Sequence, residues 1–154
     1  MKIIITGACG HIGSYVAENV HKIKKIKNTV LVDNLKSNRF SSIFNLRKKS
    51  NIKFYIKDLN DINTLDEFKN VDYLIHCASM TNAEKSFGNK KEMYKNNLNC
   101  LKTTIRYCKK NKVKLIHLSS TSVYGKQAEI VDENCEKKYL KPQSPYAKIK
   151  LIEE

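Results

Sequence analysis

The chain has 154 residues, 41% of them hydrophobic, and 29 Lys and Arg stand against 15 Asp and Glu for a net charge of +14. That length supports one core of ordinary size and is short for two domains, while apolar runs of only four to six residues exclude a membrane span, which needs about 20. The five cysteines (Cys9, Cys77, Cys100, Cys108 and Cys135) form no Cys-x-x-Cys pair or Cys/His cluster, which excludes a disulfide framework and a structural zinc site, so no metal is expected. The positive balance would suit a nucleic-acid binder. Its lysines are dispersed between apolar positions, however, as in His21-Lys22-Ile23-Lys24-Lys25-Ile26-Lys27, and only Arg39, Arg47 and Arg106 are arginines. The charge therefore reads as solvated surface, with no nucleic-acid and no membrane partner expected. Met1-Lys2-Ile3-Ile4-Ile5 is too short an apolar run for a signal peptide, and a reducing, cytoplasmic location is expected.

In chain order, short Ile/Val/Leu-rich runs predict strands at Lys2–Thr6, Thr29–Asp33, Ile52–Ile56, Tyr73–His76 and Lys114–Leu118, each suited to a sheet buried on both faces. Helices are expected at Ile12–Lys22, Ser41–Leu46 (closed by Arg47-Lys48-Lys49), Ile62–Phe68, about Lys90–Asn111, and from Pro145 to the end. Alternation at this spacing predicts right-handed crossovers and an α/β three-layer sandwich of the Rossmann type, with parallel strand order 3-2-1-4-5. Gly125–Ser144 lacks periodicity and reads as a long loop, the kind that is often functional.

The first strand runs straight into Gly7, Gly10 and Gly13, and Asp33 follows twenty residues after the last of them. A dinucleotide needs that order of parts: a glycine for the tight turn, one for close backbone approach to the pyrophosphate, one for helix-to-strand packing, and a helix N-terminus facing the anion. Asp33 would accept the hydroxyls of the adenosine ribose and repel a 2′-phosphate, favouring NAD over NADP, although Lys36 and Arg39 stand near enough in sequence to pair with such a phosphate. Asp58 either borders the adenine or is a plain strand-end aspartate.

Tyr146 and Lys150 are four residues apart, one turn along a helix face, where an ammonium favours phenolate and lowers the tyrosine pKa. Alone, such a pair is usually surface decoration. The fifth strand leads into Ser119-Ser120-Thr121-Ser122-Val123-Tyr124-Gly125, whose Ser120 either orients a substrate hydroxyl toward Tyr146 or simply caps the turn. No Gly-x-Ser-x-Gly elbow or His–acid partner supports hydrolase chemistry.

Taken in order, Thr6-Gly7-Ala8-Cys9-Gly10-His11-Ile12-Gly13, Asp33-Asn34-Leu35, Asp58-Leu59, His76-Cys77-Ala78, Asn97, Ser119 to Gly125 and Pro142-Gln143-Ser144-Pro145-Tyr146-Ala147-Lys148-Ile149-Lys150 resemble the extended short-chain dehydrogenase/reductase family. The likeness is to its NAD-dependent nucleotide-sugar epimerase/dehydratase group and covers nearly all of the chain. It implies Ser120, Tyr146 and Lys150 as the catalytic trio. It further implies a cofactor site of Gly7, Gly10, His11, Ile12, Gly13, Asp33, Asn34, Asp58, Leu59, Cys77, Ala78 and Asn97, shared with Tyr146 and Lys150. The implied reaction is NAD-dependent epimerisation of a nucleotide-sugar through a transient keto-sugar, in a homodimer. A reductase or dehydratase, or a cofactor-binding module without activity of its own, are the alternatives. Thr121-Ser122 occupies the place where dehydrating relatives carry an Asp-Glu acid/base pair. Lys57 replaces a usual glycine before Asp58, and Cys100-Leu101 a usual Gly-Thr. Family members continue into later strands and a substrate domain, so residues 1–154 are expected to be an incomplete cofactor domain and to turn over little substrate by themselves.

Overall fold

A computed structural model describes residues 1–44, 46, 51–81, 88–127 and 130–154. Five strands, β1 (Lys2–Thr6), β2 (Asn28–Asp33), β3 (Asn51–Ile56), β4 (Tyr73–His76) and β5 (Lys114–His117), form one sheet in the order β3-β2-β1-β4-β5. Every pairing is parallel, with Ile4 set between Val30 and Leu74 and Thr6 between Val32 and His76. Each strand lies within one residue of the expected bounds, because runs such as Ile3-Ile4-Ile5 are buried on both faces of the sheet. The helices are α1 (His11–Asn19), α2 (Lys90–Asn111) and α3 (Pro145–Glu153).

The chain divides into two compact units, one of residues 1–79 with 99–118 and one of residues 80–98 with 119–154. In the first, the pleat separates two cores. Ile3, Ile5 and Leu31 pack with Ala17 and Val20 on the α1 side, and Ile4, Val30, Val32 and Leu74 pack with Leu65, Phe68, Tyr107 and Cys108 on the other. The sheet is thus the middle of three layers, as expected. Tyr107 is fully buried and its hydroxyl donates to the Phe68 carbonyl at 2.7 Å, while burial, with the Cys108 and Asp66 charges, pushes the phenol up to about 12. Tyr107→Phe will leave that carbonyl without its donor and cost about 1–2 kcal/mol in urea denaturation. A cost below the error of the titration would contradict a buried bond at this position.

Three expected helices differ. Ile62–Phe68 is a succession of turns closed by Thr64 N–H to Asp61, Asp66 N–H to Asn63 and Phe68 N–H to Leu65 carbonyls. Asp58 and Asp61 each take the amide two residues on, Asn60 at 2.9 Å and Asn63 at 3.0 Å, and such side-chain bonds offer the backbone an alternative to a helix. The segment is then pinned to α2 by Asp66, which accepts both guanidinium nitrogens of Arg106 (2.8 and 2.9 Å) and Lys110 Nζ (3.0 Å). These bonds hold the Asp66 carboxyl well below the usual carboxylate range. Of Ser41–Leu46, a single 3₁₀ turn at Phe40–Ile43 is formed, and Arg47-Lys48-Lys49 lies outside the described residues. The helix expected over Ile12–Lys22 stops at Asn19 and tightens into a 3₁₀ turn at Val20–Lys22, a common way for a helix to end.

The second unit holds the first turns of α2, 3₁₀ turns at Thr121–Val123 and Lys137–Tyr139, and α3, which packs on the first of these turns. Ser144 accepts the Ala147 N–H at 3.1 Å and Pro145 stands first in α3, a capping pair that fixes where the helix starts.

Candidate functional site

The expected site residues form two groups, one in each unit. In the first, β1 hands the chain to Gly7 at φ +66°, where a Cβ would stand 2.6 Å from the Ala78 backbone. The turn then folds back on itself, with Gly10 N–H donating to the Gly7 carbonyl at 3.0 Å. Gly13 sits so close that a Cβ there would be 2.1 Å from the Gly7 oxygen, whereas one at Gly10 would meet only that oxygen, at 3.2 Å. Gly7 and Gly13 therefore serve packing, and Gly10 leaves open backbone. Gly10 is also the N-cap of α1 and has no side chain to bond the first N–H groups, which makes that end of the helix a place for an anion. His11 and Ile12 occupy this exposed first turn. The residues present fit a dinucleotide pyrophosphate.

Asp33 ends β2 and is only 8% exposed. Its Oδ2 accepts the Cys9 N–H (2.9 Å) and its Oδ1 the Leu35 N–H (2.8 Å), so two backbone amides from the glycine turn and the β2 exit aim the carboxylate. Burial, and then the Asp33 charge, pushes the Cys9 thiol up to about 11, which keeps it a neutral core group rather than a nucleophile. Asn34 Oδ1 takes the Lys36 N–H at 3.1 Å. Lys36 Nζ binds Asp58 at 2.9 Å and Arg39 Nη2 lies 2.7 Å from His11 Nε2, so both cations that could attract a 2′-phosphate already have partners. Burial would push the Asp58 carboxyl up, but bonds from Asn60 and Lys36 outweigh it and hold it down to about 2. Leu59 is a core residue whose carbonyl accepts Thr103 Oγ1 at 2.7 Å. Cys77 N–H donates to the Thr6 carbonyl at 3.1 Å, and Ala78 packs against the Gly7 turn.

In the second unit, Asn97 is 1% exposed and clasps one residue from both sides, its Oδ1 accepting the Met80 N–H (2.8 Å) and its Nδ2 donating to the Met80 carbonyl (3.1 Å). It thereby fixes the backbone that leaves Ser79. Ser120, Tyr146 and Lys150 come together here. Ser120 Oγ lies 2.8 Å from Ser122 Oγ and accepts the Ser122 N–H at 3.3 Å. Ser120 thus caps its turn, one of the two readings that its sequence context left open. Lys150 Nζ stands 6.0 Å from the centre of the Tyr146 ring.

One expectation is corrected. Tyr146 does not have a lowered pKa; burial raises it, the Ser120 hydrogen bond only partly offsets this, and the Glu153 carboxylate raises it further. The ammonium expected to favour phenolate is spent on Glu153, whose Oε2 lies 2.7 Å from Lys150 Nζ, the two side chains being 5% and 2% exposed. Sequence reasoning missed Glu153 and Ser122. The only trace of the former is a Lys-x-x-Glu spacing, which on most helices is a solvated surface pair. Among the described residues no group of acidic, His or Cys side chains could hold a metal ion, and no helix is long and apolar enough to cross a membrane.

Comparison with known proteins follows the same lines. The chain is 30% identical to an uncharacterized UDP-glucose epimerase of Bacillus subtilis (strain 168), with 100% of this chain and 50% of that protein covered. It is 32% identical to the dTDP-D-glucose 4,6-dehydratase of Dictyostelium discoideum, over 95% of this chain and 37% of that protein. Among solved structures it is similar, with TM-score 0.85 and 28% identity, to a UDP-glucuronic acid 4-epimerase variant from Bacillus cereus in complex with UDP-4-deoxy-4-fluoro-glucuronic acid and NAD, over 99% of this chain and 50% of that one. The chain therefore spans half or less of the length of these relatives. The sequence profile of the NAD dependent epimerase/dehydratase family matches residues 3–154, and the chain belongs to that family.

Proposed function

We propose that this chain is the cofactor-binding part of an NAD-dependent epimerase acting on a nucleotide-sugar through a transient keto-sugar. The observation that carries the reading is Tyr146 with the Lys150 ammonium 6.0 Å from its ring centre, one turn on along α3. When bound, NAD supplies a two-electron acceptor that takes a hydride from a sugar carbon and can return it. The Gly10 backbone and the first turn of α1 bind the pyrophosphate, Asp33 the adenosine ribose, and Lys150 a hydroxyl of the nicotinamide ribose. Ser120 orients the sugar hydroxyl, and Tyr146 Oη takes that hydroxyl's proton as the carbonyl forms and gives it back as the carbonyl is reduced. The positive surface helps to gather an anionic substrate. The reading implies a homodimer in the cytoplasm and no nucleic-acid partner.

Elimination of water is the second reading, prompted by the dehydratase among the relatives. Thr121-Ser122 supplies no carboxylate for it, which favours epimerisation. Incubating the chain, with a second polypeptide carrying the later half of a relative, with UDP- and dTDP-hexoses separates the two. An epimerised product of unchanged mass is expected, and only when both pieces are present. Loss of 18 mass units (about one water) would establish dehydration instead. Full epimerisation by the 154 residues alone would refute the view that the site needs a second half.

A further inference from the structure

Lys150 and Glu153 form an ion pair three residues apart on α3, at 2.7 Å, with side chains 5% and 2% exposed. Helix stability does not account for it. The pair runs lysine first and acid second, the weaker of the two orders. Burial makes it costlier still, since removing two charges from water offsets most of what they gain from each other. What the pair does supply is a local charge balance beside Tyr146. Among the described residues, the charged groups that act on Tyr146 are Lys150 and Glu153 of its own helix, and the packed turn contributes the neutral Ser120 hydroxyl. Glu154, at the end of the same helix, is bonded to Ser119 Oγ.

We propose that Glu153 is a positioning residue of the acid–base site, a counter-ion that holds the Lys150 ammonium and keeps the Tyr146 hydroxyl protonated. This rests on the proposed function only in taking Tyr146 as the acid/base. Its carboxylate cancels the lysine charge that would otherwise stabilise phenolate, so the tyrosine rests as an acid. A ligand hydroxyl that draws the ammonium away from Glu153 then returns that charge to the tyrosine, which ties the poise of the base to occupation of the lysine. The direction in which Tyr146 is shifted agrees with this, burial and Glu153 both opposing ionisation.

The test reads protonation rather than turnover, so it stands apart from whether the chain is an epimerase. Tyrosine is labelled at Cζ with carbon-13, and the Tyr146 resonance is identified by its loss in Tyr146→Phe. Its titration is then followed in the whole chain, in Lys150→Met and in Lys150→Met/Glu153→Gln, with circular dichroism reporting the fold. With lysine removed, Glu153→Gln is expected to lower the Tyr146 midpoint measurably, as loss of a carboxylate that opposes its ionisation should. Equal midpoints in the single and double variants, or a lower one in Lys150→Met, overturn the proposal. If Lys150→Met does not fold, the whole chain against Glu153→Gln decides the question: Tyr146 should ionise at lower pH in the variant, and an unchanged Tyr146 midpoint overturns the proposal. A pair that only satisfies a buried charge moves neither tyrosine comparison.

Discussion

Gly13→Ala will destabilise the chain by about 3 kcal/mol, whereas Gly10→Ala will cost only about 1 kcal/mol and yet abolish most dinucleotide binding. A Cβ at position 13 would stand 2.1 Å from the Gly7 oxygen and 2.9 Å from the Ala8 Cα, both backbone atoms that cannot rotate aside. The helix must therefore lift off β1, loosening the core of Ile3, Ile5 and Ala17 beneath it. At position 10 the nearest neighbour of a Cβ is 3.2 Å away, and the methyl would fill the space through which a phosphate reaches the open N–H groups. Urea denaturation and calorimetric titration with NAD read the two effects separately. Equal destabilisation by the two substitutions would show that the turn does not divide its roles between packing and binding.

Asp33→Ala will weaken NAD binding by about 100-fold, the about 2.7 kcal/mol expected when hydrogen bonds to a charged acceptor are lost. The unaltered chain will bind NAD in preference to NADP, because a 2′-phosphate would have to approach a carboxylate that two backbone amides already aim. In Asp33→Ala the Cys9 and Leu35 amides lose their acceptor, so part of the effect falls on the fold. Asp33→Asn keeps an acceptor oxygen for one of them and separates lost charge from lost support. Equal affinity of the unaltered chain for both dinucleotides would refute the role given to this carboxylate. Weak binding of both would instead place the determinants of affinity in residues beyond this chain.

The sheet was legible because parallel strands covered on both faces must be nearly all apolar. Ile3-Ile4-Ile5 and Val30-Leu31-Val32 leave no other economical reading. Helix α2 fell where it was expected, about Lys90–Asn111, and α3 began at Pro145 as expected. The segment Ile62–Phe68 was misread because Leu65 and Phe68 have a spacing that helices and tight turns share. Short-range bonds from Asp58 and Asp61 decided between them, and propensity alone does not weigh such bonds against a helix.

The glycine turn and the aspartate at the end of β2 belong to what the sequence by itself determined. Glycines at 7, 10 and 13 and an aspartate at the end of the second strand act through backbone space and through position along a strand, and both follow from spacing. The direction in which Tyr146 is shifted was decided only by the tertiary structure. Whether Lys150 lends its charge to Tyr146 depends on the burial of both and on the company each keeps. Glu153, which reads in sequence as one more acid on a lysine-rich surface, becomes the ammonium's partner once α3 is packed and water is excluded. Spacing places groups along one helix, but the strength and even the sign of a net electrostatic effect come from desolvation, which is a property of the packed chain.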